Sequence, residues 1–157
     1  MGSYDENGEM TVQKGQSPLT IMSERFGHDT LLSLATMDGN RPAVRIVNSY
    51  YEAGSFYTVT YALSNKMKQI GENPEIAVCG EWFTAHGLGE NLGHVLADKN
   101  TVIMSKLRTI FGEWYDNGHT SETDPNTCLL RMRLAAGVLF HNGTKYTIDF
   151  TEDRLIL

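Results

Sequence analysis

Three tight glycine turns, Asp38-Gly39-Asn40, Ala53-Gly54 and Asn142-Gly143, divide this chain between runs rich in β-branched and aromatic residues. A turn of this kind folds its flanking runs back on each other as antiparallel strands. Thr30 to Met37 and Ala43 to Tyr51 therefore read as one hairpin, with Ser55 to Tyr61 returning as a third strand. Ile76 to Thr84 supplies a fourth, after which glycine-rich residues 87 to 93 interrupt before His94-Val95-Leu96. Cys128 to Leu134, Val138 to Phe140 and Lys145 to Phe150 complete the extended set. Two segments change period. Leu19 to Phe26 reads as a brief helix stopped at Gly27. From Asp98 to Tyr115, Ile103, Leu107, Ile110, Phe111 and Trp114 recur at helical spacing. The pattern predicts a mainly β fold, an antiparallel barrel with helical additions.

With 157 residues and no long linker or repeat, the chain reads as one domain over 18–157. Residues 1–17 read as a loose, polar N-terminal arm in which Asn7-Gly8 can turn. The charge of −6 and pI near 5.3 argue against a general binder of nucleic acid or acidic membranes. No apolar run approaches the roughly 20 residues that cross a bilayer, and the start lacks the basic and apolar regions of a signal peptide. Cytoplasmic residence is the expectation. Cys79 and Cys128 read as free, partly buried thiols.

Against that acidic background, residues 41 to 68 stand out. Arg41, Arg45, Lys66 and Lys68 face only Glu52, so four cations against one carboxylate leave this stretch at +3. Ser64 is placed to cap a short helix that carries Lys66 in its first turn. A helix start with free N–H groups, a hydroxyl and a lysine suits a phosphate, and an arginine on the neighbouring strand adds a two-point contact. A phosphate monoester carries about −1.5 to −2 charge near neutral pH, so one cation seldom suffices.

The run from Arg45 to Pro74 resembles the pyridoxamine phosphate oxidase-like, FMN-binding split-barrel family. The elements that carry the likeness are Arg45-Ile46-Val47, Phe56-Tyr57-Thr58, Ser64-Asn65-Lys66 and Asn73-Pro74, in the family's order and spacing. The resemblance implies an antiparallel split β-barrel, a homodimer, and FMN held between subunits. Arg45, Ser64, Asn65 and Lys66 would then hold the phosphate. The strands Arg45-Ile46-Val47-Asn48 and Tyr57-Thr58 would face the ring through their backbones. Trp82, Phe83 and Leu88 are candidates for the second wall. The sequence departs from the vitamin B6 oxidase itself. Tyr50 stands where that enzyme has a substrate lysine, Leu88 where it has a flavin-contacting glutamine, and the last strand lacks the Arg-x-His signature. The expectation is an FMN-dependent oxidoreductase acting on a small molecule or electron donor, with no obligatory catalytic side chain. The alternative is a flavin- or haem-binding carrier or sensor, with His86, His94 or His119 serving a haem. A deazaflavin is a third, weaker candidate.

Other motifs carry less. His86-Gly87-Leu88-Gly89-Glu90-Asn91-Leu92-Gly93 has leucine where a dinucleotide fingerprint needs its third glycine, and no helix follows; a turn or bulge at the barrel rim fits better. The five histidines match no compact metal-ligand spacing. Glu113, Asp116, Glu122 and Asp124 surround His119 in sequence. They read as a capped helix end and polar loop, with His119 as a raised-pKa acid the sharper alternative.

Overall fold

All three glycine turns join antiparallel strands in the structure, a computed structural model that describes residues 3–4, 10–11, 17–118 and 120–151. The expected Asn7-Gly8 turn and His119 lie outside the described residues. The elements run β1 (Ser3–Tyr4), β2 (Met10–Thr11), α1 (Pro18–Phe26), β3 (Thr30–Asp38), β4 (Arg41–Glu52), β5 (Ser55–Tyr61), α2 (Asn65–Glu72), β6 (Glu75–Gly80), β7 (Phe83–His94), α3 (Thr101–Ile110), β8 (Thr127–His141) and β9 (Thr144–Asp149). Ala53-Gly54 and Asn142-Gly143 have φ of 48° and 83°, and of 48° and 77°. Two consecutive positive φ values match the right-handed twist of the strands they join.

Strands β5-β4-β3-β6-β7-β8 are hydrogen-bonded in that order, and β5 pairs with β8 to close a six-stranded barrel; β9 extends the sheet from β8. Closure is uneven. β5 pairs with β8 along its whole length, from Ser55↔Arg133 to Tyr61↔Thr127. With β4 it shares only Tyr50↔Tyr57, Tyr51↔Phe56 and Glu52↔Ser55. Beyond Tyr50 the two strands part. Residues 41–49 of β4 thus have β3 on one side and no strand on the other among the described residues. This is the split in the barrel.

The interior fills from both ends. Phe26 of α1 enters one end, its ring 5.5 Å from both Phe56 and Phe83. Met67 and Ile70 of α2 cover the other, joining one continuous core with Leu34, Val47 and Met132. A second cluster lies outside the barrel, where Met104, Leu107 and Phe111 pack with Tyr57, Val59 and Leu129.

Four elements differ from the sequence reading. Ile76 to Thr84 is not one strand: β6 ends at Gly80 and the chain turns at Glu81-Trp82, with Trp82 at φ 52°. No glycine, asparagine or aspartate occupies its two central positions. Residues 87–93 do not interrupt a strand; β7 runs through them to His94, with register shifts after His86 and Asn91. The glycines serve close packing. A Cβ on Gly87 would lie 2.0 Å from the Arg133 carbonyl oxygen, and one on Gly89 would lie 3.0 Å from Ile70. The Asp98–Tyr115 helix is shorter than its period, since α3 stops at Ile110 and Gly112 N–H bonds back to Thr109 O in a tightened turn. Phe111 and Tyr115 stay buried in the same cluster, which explains why the periodicity overran. Cys128–Leu134 and Val138–Phe140 are one strand, β8, continuous through the weak β-formers Ala135-Ala136-Gly137.

Candidate functional site

The cationic stretch folds around the split. Ser64 caps α2, its Oγ accepting from Met67 N at 3.4 Å, and this fixes the helix start beside the end of β5. Lys66 follows in the first turn, half-buried. Arg45 comes from the part of β4 that has left β5. It shares the inward face with Val47, whereas Ile46 points out, 67% exposed. Burial lowers the Lys66 pKa, and the neighbouring Arg45 charge lowers it further. Burial likewise lowers Arg45. Arg45 also donates to Gln69 Oε1, on the helix that carries Lys66, so the two cations lie near one another.

Neither meets a carboxylate among the described residues. The Arg45 guanidinium contacts Leu34 O, Thr36 Oγ1 and Gln69 Oε1, all neutral. Lys66 makes no hydrogen bond or ion pair among the described residues. Its other electrostatic neighbour is the buried thiol of Cys128, which burial pushes up and Lys66 pulls down. Half-buried charges are ordinarily paired because desolvation is costly. Arg45 and Lys66 are two like charges set together without a paired carboxylate among the described residues.

The other expected residues divide between two faces. Thr58 is buried inside the barrel. Tyr57 faces outward, packs under α3, and lines a cleft of about 530 Å³ with Leu88, Arg131, Arg133 and Phe150. Glu90, paired with Arg131 in register, bridges both Arg131 and Arg133. Sequence reading missed these two arginines. Their alternation on β8, Arg131-Met132-Arg133, was the available signal. Asn48 ties its side chain to Asp29 Oδ1 at 3.1 Å, and Asp29 Oδ2 accepts from Trp114 Nε1 at 2.8 Å. Trp82 is 71% exposed at its turn, while Phe83 is 2% exposed between Phe26, Phe56 and Phe150. The expected wall thus splits into an exposed indole and a core ring with no face for a ligand in this protomer. Asn65 is exposed at the start of α2.

No protein-family model matches the sequence, and no curated protein does. Solved structures do match. A protein of the pyridoxine phosphate oxidase family from Clostridium acetobutylicum, related to general stress protein 26, superposes with TM-score 0.55 at 14% identity, covering 80% of this chain and 88% of its own. The fold is the split barrel of the pyridoxamine 5′-phosphate oxidase-like proteins. An FAD-binding protein from Mesorhizobium loti gives TM-score 0.61 at 14% identity, with 78% and 92% covered. A heme-binding protein from Mycobacterium smegmatis gives 0.64 at 10%, covering 87% of this chain and 60% of that one. Among the described residues no helix is long and apolar enough to cross a membrane.

Histidines of this split barrel are differently placed. His94 bonds through both nitrogens: Nδ1 accepts from Leu96 N at 3.0 Å and Nε2 lies 2.9 Å from Asp124 O. His86 is exposed on β7. The acidic segment after α3 is structural where it is described. Arg108 Nε donates to Glu122 Oε1 at 2.6 Å and Tyr115 Oη donates to the same oxygen at 2.8 Å.

That network sets an acid sensitivity. The Arg108 bond, against some burial, holds the Glu122 carboxyl below its ordinary 4.5. Burial raises Glu90, but Arg131 and Arg133 outweigh it and leave its pKa lowered too. An acid depressed in the folded state contributes its stability above the ordinary carboxylate value and loses it as pH falls through the depressed one. Thermal melts should therefore show stability falling below pH 4.5. Glu122→Gln should melt lower at neutral pH and lose part of that acid slope; an unchanged slope would count against the network.

Proposed function

We propose that this protein binds FMN at the split of the barrel and works as a flavin-dependent oxidoreductase. The observation that carries the reading is the pair of neighbouring cations, Arg45 and Lys66, with no carboxylate paired to either among the described residues. A phosphomonoester dianion matches two such charges, the Ser64 hydroxyl and the N–H groups at the start of α2. The unpaired edge of β4 at Ile46, Val47 and Asn48 has backbone donors and acceptors for the polar rim of a flavin. FMN, when bound, supplies hydride or electron transfer, and the chain holds and orients it. Arg45 would grip the phosphate by two points and Lys66 by charge. The cleft bounded by Tyr57, Leu88 and Arg131 is the proposed entry for a small-molecule substrate or donor.

A second copy of the chain completes the reading. Leu31, Val44 and Ile46 are 63%, 70% and 67% exposed on the outer face of β3 and β4, beside the split. A homodimer seated there would cover this apolar surface and bring a second wall, with Trp82 a candidate. Cytoplasmic residence belongs to the same reading. A haem carrier is the rival; of its candidate ligands His94 has both nitrogens engaged, while His86 is exposed on β7.

Purification with added FMN should leave a flavin absorption band on the protein. At a hundredfold excess over the dissociation constant, ligand should stabilise the fold by about 2.7 kcal/mol, raising the melting temperature by about 5–10 °C for a chain of this size. A Soret band instead, or no band and no thermal shift, overturns the flavin assignment. Turnover of the bound flavin by NADH or NADPH with an acceptor distinguishes an enzyme from a carrier.

A further inference from the structure

Arg45 is fixed before any ligand arrives. Its Nη1 donates to Leu34 O at 3.2 Å and Thr36 Oγ1 at 2.7 Å, and its Nη2 donates to Gln69 Oε1 at 2.9 Å. Thr36 Oγ1 also donates to that Gln69 oxygen, at 2.6 Å. Thr36 and Gln69 thus form a bonded pair against the end of the guanidinium. A guanidinium has five N–H donors, one on Nε and two on each Nη. Both Nη1 hydrogens and one on Nη2 are occupied. Among the described residues the Nε hydrogen and the second Nη2 hydrogen remain, and these two lie parallel along one edge of the planar group.

The chemistry of the latch matters as much as its geometry. All three acceptors are uncharged, so they orient Arg45 without offsetting its charge. A carboxylate in the place of Gln69 would orient it equally well and cancel what makes it attractive to an anion. Gln69 also lies three residues after Lys66, on the same side of α2. One helix thereby supplies the second cation and the device that aims the first. Thr36 is buried on β3, where its hydroxyl has Arg45 and Gln69 as partners.

We propose that Gln69 and Thr36 are positioning residues that lock Arg45 with its Nε–Nη2 edge turned to the phosphate. They thereby set the preference for a phosphomonoester flavin over one without phosphate. This rests on the phosphate reading above. Both residues act through Arg45, so their effect should be confined to the phosphate.

The test is the ratio of FMN to riboflavin affinity, read by quenching of flavin fluorescence on folded protein. Gln69→Leu and Thr36→Val should each weaken FMN about tenfold, as expected when one oriented bond to a charged group is lost, and leave riboflavin unchanged. Thr36→Ser, which keeps the hydroxyl, should restore FMN binding. Gln69→Glu should weaken FMN more than Gln69→Leu, because it adds a negative charge beside Arg45. Gln69 is only half-buried, so its variants fold even if Thr36→Val does not. A wild type that prefers FMN, with Gln69→Leu unchanged or with both ligands weakened equally, overturns the latch alone. A wild type that binds FMN no tighter than riboflavin overturns the phosphate reading and the latch together.

Discussion

Replacing Arg45 and Lys66 together by alanine is expected to abolish FMN binding and leave the barrel folded. Hydrogen bonds to charged groups contribute about 1.5–3 kcal/mol each. Losing one from each cation removes about 3–6 kcal/mol, or roughly two to four decades of affinity. The fold should not suffer equally. Lys66 makes no bond among the described residues, and its charge is opposed by burial and by Arg45. Without ligand, Lys66→Ala should therefore melt at the wild-type temperature or above it, the usual relation between a functional site and stability. Titration calorimetry with FMN, beside thermal melts of the ligand-free proteins, reads both halves. Retained FMN affinity in the double variant would place the phosphate elsewhere. A large fall in ligand-free stability for Lys66→Ala would mean that the lysine has a structural partner.

The separation of strength between those two readouts also explains what was legible in the sequence. Turn chemistry is local, and so the hairpins at Gly39, Gly54 and Gly143 could be read to within a few residues. The Ser64 cap and α2 were legible for the same reason. The Glu81-Trp82 turn was not, because a tryptophan at φ 52° is imposed by the surrounding barrel rather than favoured by its own chemistry. Residues 87–93 misled in the opposite sense. Glycine there signals a loop when read locally, yet Gly87 is required by the approach of β8, 2.0 Å from where its Cβ would be. At the site, residue types and order pointed to Arg45 and Lys66, but no pattern along the chain could say that β4 leaves β5 after Tyr50. Nor could it show that Gln69 and Thr36 hold the guanidinium, or that Tyr57 and Leu88 share a separate cleft with Arg131. These are contacts between distant segments, fixed only when the barrel closes.

Closure itself rests on one ring. Phe56 stands on β5 where that strand is paired on both sides, opposite Tyr51 of β4 and Met132 of β8. It is fully buried, with ring centroids 5.5 Å from Phe26 and 5.4 Å from Tyr51, both edge-on. Phe56→Ala should cost about 3–5 kcal/mol, the range for deleting a buried phenylalanine. Against a total of about 5–15 kcal/mol for a domain, that is a fifth or more of the stability. Urea unfolding should show a lower midpoint with an unchanged slope if the native barrel survives. Phe56→Leu should recover much of the loss, since it refills most of the volume. Trp82→Ala is the contrasting case, because a side chain 71% exposed has little burial to lose and should leave the midpoint in place. If Phe56→Ala unfolds no more readily than Trp82→Ala, then β5 is not the strand that closes the barrel. The three register pairs that bring β4 to the edge of the split would then have to be held by the α3 cluster packed outside them.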